Sequence, residues 1–395
     1  MVSINEQNFK DRRAIIRVDF NVPMSPEKKV QDSSRIQGAK STILKVINDG
    51  GSCILISHLG RPKGKQNSLS LKPIVSELQN ILGRKVIFCE DVLGKKTESK
   101  INALQPGQII LLENIRFYKE ETNGDQVFAK KIASYGDCYI NDAFGSAHRA
   151  HASTTIIAKF FNNNKFSGHL LSKEIESIEQ VLSFGEKPVL AILGGAKVSS
   201  KITIIESMMN KVDEIIIGGG MAFTFIKALG GKIGDSICEE DKLDLALSIL
   251  AKAKAKGVRI HLPVDVVCSK EFSNDGIKKI HKIRSIPNDW QGLDAGPKSI
   301  KDFSKVIKRA KTILWNGPIG VFELESFSKG TIAIGQSIVE STKNGAFSLV
   351  GGGDSVAAVK KFHFQNKVSY VSTGGGAMLE SLEGKDLPGV TALSN

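Results

Sequence analysis

The sequence is short of several things, and each shortage excludes something. Its 395 residues hold five cysteines (Cys53, Cys89, Cys138, Cys238 and Cys268), and no two stand as a C-x-x-C pair. An odd number, mostly inside or beside apolar runs such as "SCILIS" and "VIFCE", reads as buried free thiols in a reducing cytosol. The seven histidines do not gather with them at ligand spacing, which argues against a metal site of the zinc kind. No apolar run reaches about 18 residues, so no membrane span is expected. The stretch "MVSINEQNFKDRR" carries no apolar signal core, so secretion is not expected and the cytoplasm is. Aromatics make up 6% and are not interleaved with the basic positions, which fits nucleic-acid binding poorly. The phosphate loop G-x-x-x-x-G-K-[ST] is missing. So is the dinucleotide fingerprint G-x-G-x-x-G, which disfavours a nicotinamide-dependent dehydrogenase.

What is present reads as a globular chain of about two domains, 41% apolar and 24% charged. The net charge of +13 fits either solvated surface lysines or an anionic partner. Short, two-sided apolar runs alternate with amphipathic segments, as buried parallel strands alternate with helices. The strand candidates of the first half are 14–20, 52–57, 86–89, 108–114 and 138–142. Those of the second are 189–194, 214–219, 260–268, 312–317, 347–353 and 368–373. The fold class expected is α/β, with helices on both faces of parallel sheets. A boundary falls near 165–185. There "NNNKFSGHL" reads as a loop, and "LSKEIESIEQVLSFGEKP" as one helix ending before Pro188.

Ligands of open parallel sheets bind beyond the carboxyl ends of the strands. In the first half those ends carry His58 and Arg61, Arg116, then His148, Arg149 and His151, and Arg35 precedes the first helix. Guanidinium groups grip carboxylate and phosphate through paired hydrogen bonds, so the cluster suggests a small, highly anionic ligand. In the second half the strand ends carry glycine instead: "GGAK" (194–197), "GGGMAF" (218–223), "NGPIG" (316–320), "GGGDS" (351–355) and "TGGGA" (373–377). Glycine admits a ligand close to the backbone, and helix starts offer free N–H groups to phosphate. Five such turns suggest a nucleotide. Asp354, at a helix start, reads either as an N-cap or as a Mg²⁺ ligand beside a polyphosphate. Arginines for a compact anion and glycines for a nucleotide suit phosphoryl transfer.

As a set, these motifs resemble the phosphoglycerate kinase family. The matching stretches are "RVDFNVP" (17–23), "SHLGRPKG" (57–64), "LLENIRF" (111–117), "NDAFGSAHRAH" (141–151) and "AILGGAKVSSKI" (191–202). They continue through "IIIGGGMAFTF" (215–225), "GLDAGP" (292–297), "LWNGPIGVFE" (314–323), "GGGDSVAAVKK" (351–361) and "STGGGAMLESLEGKDLPGV" (372–390). They keep family order over essentially the whole chain. One departure is Ile319, where the family turn carries Met or Pro; retained activity is expected.

The resemblance implies two doubly wound, Rossmann-like domains joined by a helix, with a cleft between them. The phosphoglycerate-binding domain would span 1–168, with 385–395 packing back on it. The joining helix would span 169–187 and the nucleotide-binding domain 188–384. Asp19 and Asn21 would contact the glycerate, with Phe20, Leu59 and Gly60 in the same two motifs. Arg35, His58, Arg61, Arg116 and Arg149 would receive the carboxylate and phosphate. Lys197 and Lys201 would face the nucleotide phosphates, flanked by Gly352, Gly353, Asp354 and Ser355, with Asp354 on the metal. Glu323 would bond the ribose, and Gly218, Gly219 and Gly220 would line the adenine side. The implied reactants are 3-phosphoglycerate, 1,3-bisphosphoglycerate, ATP and ADP with Mg²⁺, handled by a monomer. The expected catalytic pair is Arg35 and Lys201. A spacing of four is expected to set Lys197 and Lys201 one helical turn apart on a single face.

Overall fold

In the computed structural model, which describes residues 2–394, six short apolar runs build the first sheet. They are β1 (Arg13–Val18), β2 (Ser52–Ile56), β3 (Val86–Cys89), β4 (Ile109–Leu112), β5 (Cys138–Asp142) and β6 (Lys165–Ser167). Their order is β3-β4-β2-β1-β5-β6, and every neighbouring pair is parallel. Every residue of β2, β4 and β5 is buried, as strands covered on both faces must be. The covering helices show why they form. In Ser34–Asn48 the buried residues are Ile36, Ala39, Thr42, Ile43, Val46 and Ile47, one face of a 3.6-residue repeat. Helix Ile74–Leu82 buries Ile74, Leu78, Ile81 and Leu82, and stops at Gly83 in the left-handed region. From β1 the chain passes to one side of the sheet and from β5 to the other, so β1 and β5 flank the topological switch point.

The second unit repeats the plan. Its strands are β7 (Val189–Leu193), β8 (Glu214–Ile217), β9 (Lys232–Ile233), β10 (Arg259–His261), β11 (Asp265–Ser269) and β12 (Lys278–Lys282). β13 (Ser285–Ile286), β14 (Gln291–Ala295), β15 (Thr312–Asn316), β16 (Phe347–Val350) and β17 (Tyr370–Val371) follow. Six make a parallel sheet in the order β10-β8-β7-β15-β16-β17, whose switch point lies between β7 and β15. β11 pairs antiparallel with both β12 and β14.

Three local expectations change. Residues 260–268 form two strands of different sheets rather than one, and Pro263, lacking an N–H, lies in the break. The supposed loop after "NNN" contains β6, because Phe166 is 2% exposed and packs edge-on against Phe9, centroids 5.9 Å apart. The antiparallel sheet was not anticipated. β12, "KKIHK", is exposed at four of five positions and gives little apolar signal.

The chain divides into two compact units. One runs to Ile175 and takes back the chain from Asp386; the other spans Glu176–Lys385. The division falls within the helix His169–Leu182. The returning segment is fastened to the first unit by its backbone. Gly389 N donates to Ala147 O at 2.8 Å, and Asn141 Nδ2 donates to Gly389 O at 3.0 Å. A side chain at 389 would meet Ala147 Cα at 3.0 Å, which explains the glycine.

Candidate active site

In the first unit the loops after β1, β2, β4 and β5 carry the basic residues. Asp19, 5% exposed, accepts from Arg35 Nη1 at 2.7 Å, and its other oxygen accepts from Asn21 N at 3.1 Å. Asn21 Oδ1 in turn accepts from Gly60 N at 2.8 Å, tying the β1 loop to the β2 loop. Arg116 Nη1 donates to Gly60 O at 2.9 Å and brings in the β4 loop. Gly60 has φ +64°, and a Cβ there would lie 2.8 Å from Leu69. Arg61, Arg116, Arg149 and His151 share a cavity of about 550 Å³ with Lys63, Tyr118 and Lys119. Phe20 and Leu59 belong to the apolar core, so their side chains pack inward.

Behind this rim stands a residue that sequence reasoning missed. Arg17, in β1, is fully buried. Its Nε donates to Ser153 Oγ at 2.8 Å, Nη1 to Val18 O at 2.5 Å, and Nη2 lies 3.2 Å from His58 Nδ1. Ser153 is anchored by the buried Glu121, through Oγ at 2.7 Å and N at 2.9 Å. A signal existed: a charged residue inside a two-sided apolar strand must have a partner. The cluster sets the ionisation of its neighbours. Burial, then Arg17, Arg116 and Arg35, hold His58 well below the usual histidine range. Burial, then Arg116, Arg17 and Arg149, lower His151 to about 4, so its 3.8 Å approach to Glu121 is not an ion pair at neutral pH. Burial, then Arg17, brings even Arg116 down to about 10. The rim therefore carries arginine cations and neutral imidazoles.

In the second unit the glycine turns close around the β7/β15 switch point. Gly194 N donates to Asn316 O at 3.0 Å, and a Cβ at 194 would sit 2.0 Å from Pro318 O. Gly219 has φ +68°, and a Cβ there would lie 2.7 Å from Gly195 N. Such approaches exclude any other residue. Around them lies a mainly apolar cavity of about 420 Å³, bounded by Gly218, Gly219, Gly220, Ile319, Glu323 and Asp354 among others. Ile319 packs where a Cβ on Gly218 would be, 2.4 Å from its Cδ1.

The two lysines are not placed as expected. Residues 199–201 form a turn and Lys197 lies in irregular chain before it, and the helix begins only at Ile202, so no helical face joins Lys197 to Lys201. The chain between them is held otherwise: Ser199 is tied to Glu239 by its N at 2.9 Å and its Oγ at 2.5 Å. Lys197 is exposed. Lys201 is half-buried, and its ammonium donates to Asn316 Oδ1. Burial lowers the Lys201 pKa, and Asp354 partly offsets this. Asn316, missed as a site residue, also donates through Nδ2 to Gly351 O at 2.8 Å. Gly352, at φ +90°, leaves room for that amide, since a Cβ would approach it to 2.6 Å. Ser355 is fully buried and accepts from Gly317 N at 2.5 Å, so its hydroxyl shapes the turn.

Gly353 has nothing near its Cβ position and starts the helix Gly353–Lys361, with Asp354 exposed in its first turn. Asp354 makes no side-chain cap, which removes that reading of it. Among the described residues no three His, Cys, Asp or Glu side chains gather to hold a metal. One open carboxylate beside a glycine turn fits Mg²⁺, which binds through one or two carboxylates, waters and substrate phosphates.

An arginine rim at one switch point and a lysine-bearing glycine pocket at another equip the fold to handle two phosphorylated ligands. The class this defines is a phosphotransferase. Comparison with known proteins narrows it. The family description "Phosphoglycerate kinase" matches residues 4–385. A phosphoglycerate kinase of Porphyromonas gingivalis is 50% identical, with 99% of this chain and all of that protein covered. A cytosolic phosphoglycerate kinase of Triticum aestivum is 49% identical, with 99% and 97% covered. The solved phosphoglycerate kinase of Coxiella burnetii superposes with a TM-score of 0.91 at 41% identity, covering 100% of this chain and 98% of that one. The chain belongs to the phosphoglycerate kinase family.

Proposed function

We propose that the chain transfers a phosphoryl group reversibly between 1,3-bisphosphoglycerate with ADP and 3-phosphoglycerate with ATP. Family membership over 4–385 supports the reaction. The observation that carries the reading onto residues is the convergence of Lys201, Asn316 and the 351–355 turn at the β7/β15 switch point. In the forward direction of ATP use, a carboxylate oxygen of 3-phosphoglycerate attacks the γ-phosphorus in line. The bond to the β-phosphate oxygen breaks, and ADP leaves. No proton moves and no phosphoenzyme forms, so neutral histidines beside the site are no handicap. The negative charge spread over the moving group requires cations set in place beforehand. Arg35 and Lys201 fill that role, and Lys197 steadies the nucleotide phosphates.

On this reading Asp19 and Asn21 hold the glycerate, with the backbone of Phe20, Leu59 and Gly60 beside them. Arg61, Arg116 and Arg149 hold its phosphate. Glu323 bonds the ribose, and Gly218 to Gly220 flank the base. Mg²⁺, held by Asp354 together with waters and phosphates, would neutralise nucleotide charge. We place the protein in the cytoplasm, as the wheat relative is named cytosolic, and read it as a monomer. Among the described residues no helix is long and apolar enough to cross a membrane.

A coupled assay with 3-phosphoglycerate and MgATP tests the reaction; absence of turnover while the Porphyromonas relative turns over alongside would sink it. Both substrates together are expected to favour a closed form by bending near residues 165–190, keeping water from the transfer. Small-angle scattering should then show a smaller radius with both bound than with either alone. An unchanged radius counts against closure.

A further inference from the structure

We infer that Arg17 is a positioning residue that holds His58 in a single tautomer, with Nδ1 accepting from the guanidinium and the proton on Nε2. His58 then serves the phosphoglycerate site as a neutral, directional donor rather than as one more cation. That placement rests on the proposed function; the tautomer itself does not.

The argument is one of donors and acceptors. A guanidinium has five N–H groups and no acceptor. The 3.2 Å approach of Arg17 Nη2 to His58 Nδ1 therefore needs a lone pair on Nδ1. A protonated Nδ1 would set N–H against N–H. A neutral ring carries one proton, and the remaining place is Nε2. Arg17 cannot turn away from this duty. Its Nε is held by Ser153 Oγ and its Nη1 by Val18 O, and Ser153 is itself fixed by Glu121. Arg17, Ser153 and Glu121 are all fully buried. The leading influences on the ring disfavour a second proton: burial first, then the cations Arg17 from β1, Arg116 from the β4 loop and Arg35 from the first helix, while the Asp19 carboxylate is engaged by Arg35. His58 is 4% exposed, and among the described residues none bonds Nε2, so that atom is the one left for a ligand oxygen.

The arrangement has a purpose at an arginine-rich rim. Another cation would add repulsion among Arg35, Arg61, Arg116 and Arg149. A neutral N–H adds a bond to a carboxylate or phosphate oxygen, and binding takes up no proton at this ring.

The test uses the full chain with ¹⁵N-labelled histidine. Long-range ¹H–¹⁵N spectra, with His58 assigned by its loss in His58→Gln, should show the Nε2-protonated neutral ring unchanged between about pH 5.5 and 8.5. Arg17→Met should give mixed tautomers or a titrating ring, and Arg17→Lys, which still donates, should restore the wild-type pattern. In the coupled assay, His58→Gln, whose amide N–H stands near Nε2, should keep KM for 3-phosphoglycerate within about tenfold. His58→Asn, which mimics Nδ1, should raise it by a further factor of about ten or more, the worth of a hydrogen bond to a charged group. A wild-type ring protonated on Nδ1, or titrating within that range, overturns the inference, and needs no variant to fold. Adding 3-phosphoglycerate should shift the His58 signals. If the tautomer is as inferred and no shift appears, the lock stands and the placement in the phosphoglycerate site falls.

Discussion

Lys201 carries the sharpest test at the scale of single residues. It is half-buried, bonded to Asn316 and near Asp354, so its charge is held close to where phosphates are proposed to lie. Lys201→Met should lower kcat by about 10³-fold or more, in the range found when a positioned cation is removed from phosphoryl transfer. Circular dichroism should be unchanged. Turnover within about tenfold of wild type would refute the assignment. Lys197→Met, at an exposed position before the turn, should cost less than about tenfold. The lysines were legible as residue types after a glycine pair. Their geometry was not, because the helix starts only at Ile202, after both lysines, and the spacing of four spans non-helical chain. Arg17 was overlooked for a different reason. Inside "AIIRVDF" it looks like a strand residue, and its partner Ser153 is 136 positions away.

Among the elements, the helix His169–Leu182 begins on a buried carboxylate. Asp142, the last residue of β5, accepts from Leu171 N at 3.1 Å, while His169 N donates to Thr42 Oγ1 at 2.8 Å. Gly168 is required there, since a Cβ would lie 2.2 Å from Asp142 Oδ1. Burial raises Asp142 to about 7, although bonds from Thr42, Leu171 and Leu170 oppose it. The folded state thus binds this proton more tightly than the unfolded chain does. The stability it contributes is full below about pH 4 and is lost as pH climbs through 7. Asp142→Asn should therefore stabilise the protein in urea at about pH 8.5, on the order of 1–4 kcal/mol, and scarcely at acid pH. An equal effect at both would mean that the proton is not the cause. Asp294, likewise raised to about 7 by burial, leaves part of the slope in place. The parallel strands and their helices were readable from periodicity. β6 and β12 were not, because one hides after three asparagines and the other is mostly lysine.

For the whole molecule, the division into units is not the division of the chain. The segment from Asp386 buries Leu387 and Leu393 and is grouped with the first unit. Deleting the residues after Lys385 should leave MgADP binding by calorimetry within about threefold, while coupled turnover collapses and an unfolding transition moves to lower urea. Loss of MgADP binding instead would show that the second unit depends on the segment. Family order of motifs made both units foreseeable, whereas the fastening at Gly389 could not be read from residue types alone. It also sets an order in time. On the ribosome the whole of Glu176–Lys385 is made before Gly389 exists to bond Ala147 and Asn141. The first unit therefore cannot be completed until the whole of the second has been synthesised.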